Sequence, residues 1–121
     1  MARKKALEEE QLTDTTYYLL LALTEPLHGY GMMQRVREIS CGEFEIGPAS
    51  LYTSLRKLEQ AGLIAVQAGE TGGKKVYRMT ETGRIFLERD FHRRERLVEQ
   101  GRKILHLEAM KYEQNSKTND Q

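Results

Sequence analysis

Residues 48–61 (PASLYTSLRKLEQA) constrain this chain more than any other stretch, because they carry two faces of opposite chemistry and a glycine-rich hairpin pattern follows at once. Leu51, Leu55 and Leu58 recur at i, i+4 and i+7, which is one helical stripe that has to be buried. Ser50, Tyr52, Thr53, Arg56, Lys57 and Gln60 fall away from it and leave a wet face rich in hydrogen-bond donors. Gly47 stands at the N-cap and Pro48 at the first helical position, where a missing N–H costs nothing and a fixed φ suits a helix. Gly62 can take the left-handed conformation that closes the helix. Residues 63–67 and 76–80 then read as antiparallel strands around the loop AGETGGKK at 68–75.

Upstream, the segment from Thr13 to Leu23 is apolar almost all round, so its helix should be enclosed on several sides until Pro26 bars continuation. His28, Gly29, Tyr30 and Gly31 lead into a second amphipathic helix with Met32, Met33, Val36 and Ile39 on its buried stripe, ended by Cys41-Gly42. Residues 43–46 alternate acidic and apolar side chains and are expected as a short edge strand. Thr80 is the expected N-cap of a last helix running from Glu81 to about Tyr112, with Ile85, Phe86 and Phe91 packing its first part. Residues 88–96 are nearly all charged, after which Leu97, Val98, Gly101, Ile104, Leu105 and Tyr112 form a renewed apolar stripe.

A helix that continues past a small domain cannot bury a second stripe on its own core, so the stripe predicts a second copy of the chain, with Tyr17 and Leu20 assigned to the same interface. Gly101 costs about 1 kcal/mol in mid-helix relative to alanine, which a close backbone approach in that interface would offset. The fold class expected is mainly α with a small β-hairpin: a winged helix-turn-helix domain (12–80) and a C-terminal dimerisation helix (81–113). A mobile N-terminal arm (1–11) and a polar, disordered tail (114–121) are expected at the ends.

A chain of 121 residues supports one modest core, which disfavours an enzyme with a large buried cleft. The single cysteine, Cys41, cannot form an intramolecular disulfide, and no signal-peptide pattern is present, so a reducing cytoplasmic setting is expected. No run approaches the roughly 18 apolar residues of a membrane span. His28, His92, His106 and Cys41 are scattered without ligand or nucleophile spacing, and no Walker-type phosphate loop occurs, so no metal, cofactor or catalytic residue is expected. The formal net charge is only +1, from 19 basic and 18 acidic residues, so any nucleic-acid surface has to be a local patch.

Three segments then point to a family: EPLHGYGMMQRV (25–36), IGPASLYTSLRKLEQAGLI (46–64) and KVYRMTETGR (75–84). Together they resemble the PadR family of winged-helix transcriptional regulators over about residues 12–113. The pairing of an HGY helix start with a GPxxLYxxLxxLExxGLI recognition helix and a YxxTxxG start to the last helix carries the likeness, and the short C-terminal region is similar to the small subfamily. The resemblance implies a homodimeric repressor of transcription that binds double-stranded DNA at an inverted repeat. In some members a small aromatic or lipophilic effector releases the DNA. Tryptophan is absent, so an effector site built on indole stacking is not available.

The residues expected to meet DNA are Ser50, Tyr52, Thr53 and Arg56, with Arg56 bidentate to a guanine edge, Thr53 on a thymine methyl or a phosphate, and Tyr52 on a phosphate. Lys57 would neutralise charge, Tyr30 and the N–H groups after His28 would meet a backbone phosphate, and Lys74 and Lys75 would track the minor groove or flanking phosphates. Each has a plainer reading: Tyr52 and Tyr30 as packing residues, Arg56 and Lys57 as a solvated face, Lys74 and Lys75 as charges that protect a hairpin edge. A winged-helix module that binds another protein instead of DNA is the alternative, and the near-neutral charge is its support.

Overall fold

Thr13 accepts a hydrogen bond from the Thr16 backbone N–H through its hydroxyl at 3.1 Å, and this cap starts helix α1 (Asp14–Ala22). The structure, a computed structural model, describes residues 11–67 and 73–107. After α1 come strand β1 (Leu27–His28), helix α2 (Gly29–Ile39), helix α3 (Pro48–Gln60), strands β2 (Ile64–Val66) and β3 (Val76–Met79), and helix α4 (Glu81–Leu105). The chain divides into a unit ending at Asp90 and a second beginning at Phe91.

In the first unit the apolar stripes meet in one core. Leu19 and Leu20 of α1, Met32 and Val36 of α2, Leu51, Leu55 and Leu58 of α3, and Leu63 and Ile64 are all fully buried. Burial of each such side chain stabilises the fold by about 2 kcal/mol. Leu20 therefore has no surface to offer a second copy, and its assignment to a dimer interface is corrected to the core. Tyr17 is half-buried.

The sheet differs from the expected two-stranded wing. Its order is β1-β3-β2, with Leu27 opposite Tyr77 and His28 opposite Val76 on one side of β3 and Ile64 opposite Met79 on the other. The third strand is thus the pair before α2, not residues 43–46. There the Phe44 N–H donates to the Ser40 hydroxyl at 3.0 Å and the Phe44 ring stacks on Tyr18 at 4.8 Å, so the segment closes a turn through Cys41 and Gly42 at positive φ instead of joining a ladder.

One hydrogen-bonded junction ties the end of α3 to the start of α4. Gly62 adopts φ +79 and Leu63 N–H returns to the Leu58 carbonyl at 3.0 Å, which closes α3 in the left-handed manner expected. The Thr80 N–H donates to the Leu63 carbonyl at 3.0 Å, its hydroxyl donates to the Gly62 carbonyl at 2.7 Å, and the same hydroxyl caps α4 by accepting from Gly83 N–H at 3.0 Å. Gly83 rests directly against the Leu63 carbonyl oxygen, where any Cβ would collide with backbone that is already bonded.

The first turns of α4 bury Gly83, Leu87 and Asp90, whereas Ile85, expected to pack, is 52% exposed. Asp90 lies inside the nearly all-charged run 88–96, yet it is buried and its carboxylate accepts the Leu12 N–H at 3.3 Å. Phe91 is exposed as well and so belongs to the outer face of the helix. In the second unit α4 ends at Leu105, short of the expected Tyr112: His106 takes φ 58, and Leu107 N–H reaches back to the Arg102 carbonyl at 2.8 Å. Tyr112, residues 1–10 of the N-terminal arm, the wing tip at 68–72 and the tail lie outside the described residues.

Gly83→Ala is expected to lower stability by about 2 to 3 kcal/mol, because the methyl group meets fixed backbone and not a movable side chain. Urea denaturation checks this: the midpoint should fall while the slope stays as in the wild type.

Candidate nucleic-acid interface

Helix α3 presents the donors that its sequence promised. With its leucines inward, Ser50, Tyr52, Thr53, Arg56, Lys57 and Gln60 all lie on the exposed side. Pro48 and Gly47 start the helix without a side-chain cap, which leaves its first N–H groups open toward solvent.

Helix α2 begins beside this face. The His28 ring accepts from Gly31 N–H through Nδ1 at 3.4 Å and so caps the helix, a role that composition alone had not shown. Tyr30 is 62% exposed, and its hydroxyl accepts from the Gln34 amide at 3.5 Å, which settles it as a surface residue and not a core one. Tyr52 is 49% exposed, and its hydroxyl lies over Gly29 at the start of α2.

The wing completes the site. His28, Gly29, Tyr30, Tyr52, Gly73, Lys74, Lys75 and Tyr77 line one open recess of about 490 Å³. Pairing of β1 with β3 is what brings His28 next to Val76 and sets Lys74 and Lys75 beside the start of α2. Of the eight residues expected to meet DNA, Tyr30, Tyr52, Lys74 and Lys75 share this recess, and Ser50, Thr53, Arg56 and Lys57 lie along the exposed face of α3.

Charge is distributed to the same end. Arg35 lies 3.8 Å from Glu38 and Arg37 lies 3.7 Å from Glu45, so both arginines of α2 are offset by nearby carboxylates. Among the described residues none of Arg56, Lys57, Lys74 and Lys75 is held in an ion pair. A nearly neutral chain thus keeps positive charge available on α3 and the wing, which is what attraction of an anionic backbone requires.

Tyr77 was not foreseen as part of the site. It is buried at the base of the wing, and desolvation, then Glu59, then Tyr52, push its phenol above the ordinary value of 10.0. Its advance signs were its inward place in a period-2 strand and its position as the tyrosine of the YxxTxxG motif.

The family profile described as the Transcriptional regulator PadR-like family matches residues 18–89, more than half of the chain. This protein belongs to the PadR-like family of transcriptional regulators. The matched stretch contains α2, α3 and the sheet, the parts that form the recess. Among PadR-family structures, a transcriptional regulator from Eggerthella lenta DSM 2243 is similar with a TM-score of 0.63 and 25% identity, covering 86% of this chain and 85% of that one. The crystal structure of Bacillus subtilis PadR in complex with operator DNA is similar with a TM-score of 0.55 and 25% identity, covering 63% of this chain and 45% of that one. Transcriptional regulator YqjI of Escherichia coli K12 is 33% identical over 61 residues, half of this chain and 29% of YqjI. The chain spans about a quarter of the length of two curated relatives it matches, at 24% and 29%.

The raised phenol of Tyr77 has a consequence for this PadR-family fold. A group whose acid form is favoured by folding contributes stability that is present below its unfolded value and lost as pH rises through the folded one. Stability should therefore fall as pH rises above about 10, and Tyr77→Phe should flatten that part of the profile; urea midpoints across alkaline pH check it.

Proposed function

We propose that the chain is a DNA-binding regulator that acts as a homodimer in the cytoplasm and represses transcription by occupying an inverted-repeat operator. The observation that carries this reading is the convergence of three separate segments, the start of α2, the outer face of α3 and the base of the wing, on one recess bearing hydroxyls and two lysines. Helix α3 docks in the major groove, Arg56 and Thr53 reach base edges, and Tyr30, Tyr52, Lys74 and Lys75 hold phosphates. The likeness to Bacillus subtilis PadR, whose crystal structure contains operator DNA, supports the reading.

The homodimer rests on the second unit. Phe91, Val98 and Leu105 follow at intervals of seven, with Leu97 and Ile104 one position before the latter two, and all five are exposed on α4. An exposed apolar stripe that recurs every seven residues supports a two-helix interface. Gly101 lies within it, and a Cβ there would meet nothing within 4 Å in this chain, so its use in mid-helix is best matched to the backbone of a second copy.

Selection of duplexes from a random pool tests the proposal, followed by titration of the recovered duplex over a range of salt. Specific binding whose affinity falls steeply with salt supports it; no recovered sequence and no salt-dependent binding, beside tight capture of a protein, would favour the protein-interaction alternative. On the recovered operator, Arg56→Ala should relax discrimination at one base position by about 1 to 3 kcal/mol, whereas Lys74→Ala should weaken all duplexes alike and lower the salt slope by about one. Half-sites should lie roughly 34 to 36 Å apart.

Leu105→Glu and Leu97→Glu should each yield monomers in sedimentation, because an unpaired charge in an apolar interface is unfavourable. Retention of the dimer by both variants would refute the α4 seam. A thermal-shift screen of small aromatic and lipophilic compounds tests for an effector.

A further inference from the structure

We infer that Gly29 is a positioning residue for the Tyr52 hydroxyl, and that the two residues act as one unit in holding a phosphate at the start of α2; the inference rests on the DNA-binding reading. Gly29 does not serve the backbone here. It is the first residue of α2 and is absent from the positive-φ glycines, so any L-residue could adopt its conformation, and alanine is the better helix former. What it supplies is space. A Cβ at position 29 would stand 2.7 Å from the Tyr52 hydroxyl oxygen, 3.2 Å from Tyr52 Cζ and 3.2 Å from Leu51 Cδ2.

The nature of those neighbours decides what a substitution does. The closest atom is the far end of a side chain that is half exposed, so the ring can swing outward at little cost to the core. Leu51 has to give by only a few tenths of an ångström. Alanine at 29 therefore displaces Tyr52 and leaves the fold standing, the opposite of Gly83, where the obstacle is backbone. In the native chain the tyrosine tip lies against Gly29, the first residue of α2, and both line the recess that Lys74 and Lys75 share, at the positive end of that helix.

The test compares wild type, Gly29→Ala, Tyr52→Phe and the double variant for thermal denaturation, for affinity to a random-sequence duplex of roughly three helical turns at low salt, and for the aromatic NMR signals of Tyr52 where it is present. Each single variant should melt near the wild type and lose affinity about tenfold, the loss of a hydrogen bond to a charged group, and the double variant should lose no more than the worse single. The Tyr52 ring signals should shift in Gly29→Ala. Losses that multiply in the double variant, or Gly29→Ala binding as the wild type does, would overturn the inference. If Gly29→Ala fails to fold, Gly29→Ala/Tyr52→Ala must restore folding; failure to do so places the obstacle elsewhere and also overturns it. Absence of duplex binding by the wild type sinks the DNA-binding reading, and the phosphate role with it, while the ring signals still report separately whether Gly29 seats Tyr52.

Discussion

Burial of three leucines on one side of α3 is the constraint from which the rest of this molecule follows. Leu51, Leu55 and Leu58 are sealed against α1, α2 and the start of the sheet, which fixes the rotation of α3 about its own axis. Once that rotation is fixed, Ser50, Tyr52, Thr53, Arg56 and Lys57 have no choice but to face outward. The junction at Gly62, Leu63, Thr80 and Gly83 then holds the end of α3, both long strands and the last helix at fixed separations through hydrogen bonds of 2.7 to 3.0 Å. The exposed face of α3 is thus supported from behind by core packing and from its C-terminal end by backbone bonds.

Function in this arrangement depends on charge being placed and not merely present. Arg35 and Arg37 are matched by Glu38 and Glu45, while among the described residues Arg56 and Lys57 of α3 and Lys74 and Lys75 of the wing are in no ion pair, so positive charge is left on those two elements of a chain with a net charge of only +1. Two glycines mark where an added Cβ would meet an obstacle, of a different kind at each. Gly83 admits the carbonyl of Leu63, just before β2, and Gly29 admits a tyrosine tip. The first is a matter of folding and the second a matter of the site.

Much of the fold was legible because the signals are local. Pro48 and Gly47 mark the start of α3, Gly62 its end, Thr80 the start of α4, and each does so through bonds made within a few residues. The outward set on α3 was legible for the same reason, since a stripe at i, i+4 and i+7 names the opposite face. Reading failed where a residue's fate depends on a distant partner. Leu20 and Phe91 are both large and apolar, and no local pattern says that the first is enclosed by its own chain while the second is exposed. Asp90 sits among charges in sequence, yet its carboxylate serves the Leu12 N–H.

The amino-acid order by itself determined where the helices lie, the ends marked by Gly47, Gly62 and Thr80, and the apolar sides of α2 and α3, because those properties are set within a few residues and need no distant neighbour to express them. It also determined the family, through motifs carried on those same elements. Only the tertiary structure decided that Leu27 and His28 pair with β3, and hence that Tyr30, Tyr52, Lys74 and Lys75 share one recess. A two-residue strand has too little length to show a period, and its partner lies far along the chain, so its position is set by the packing of the whole core and by nothing within the segment itself.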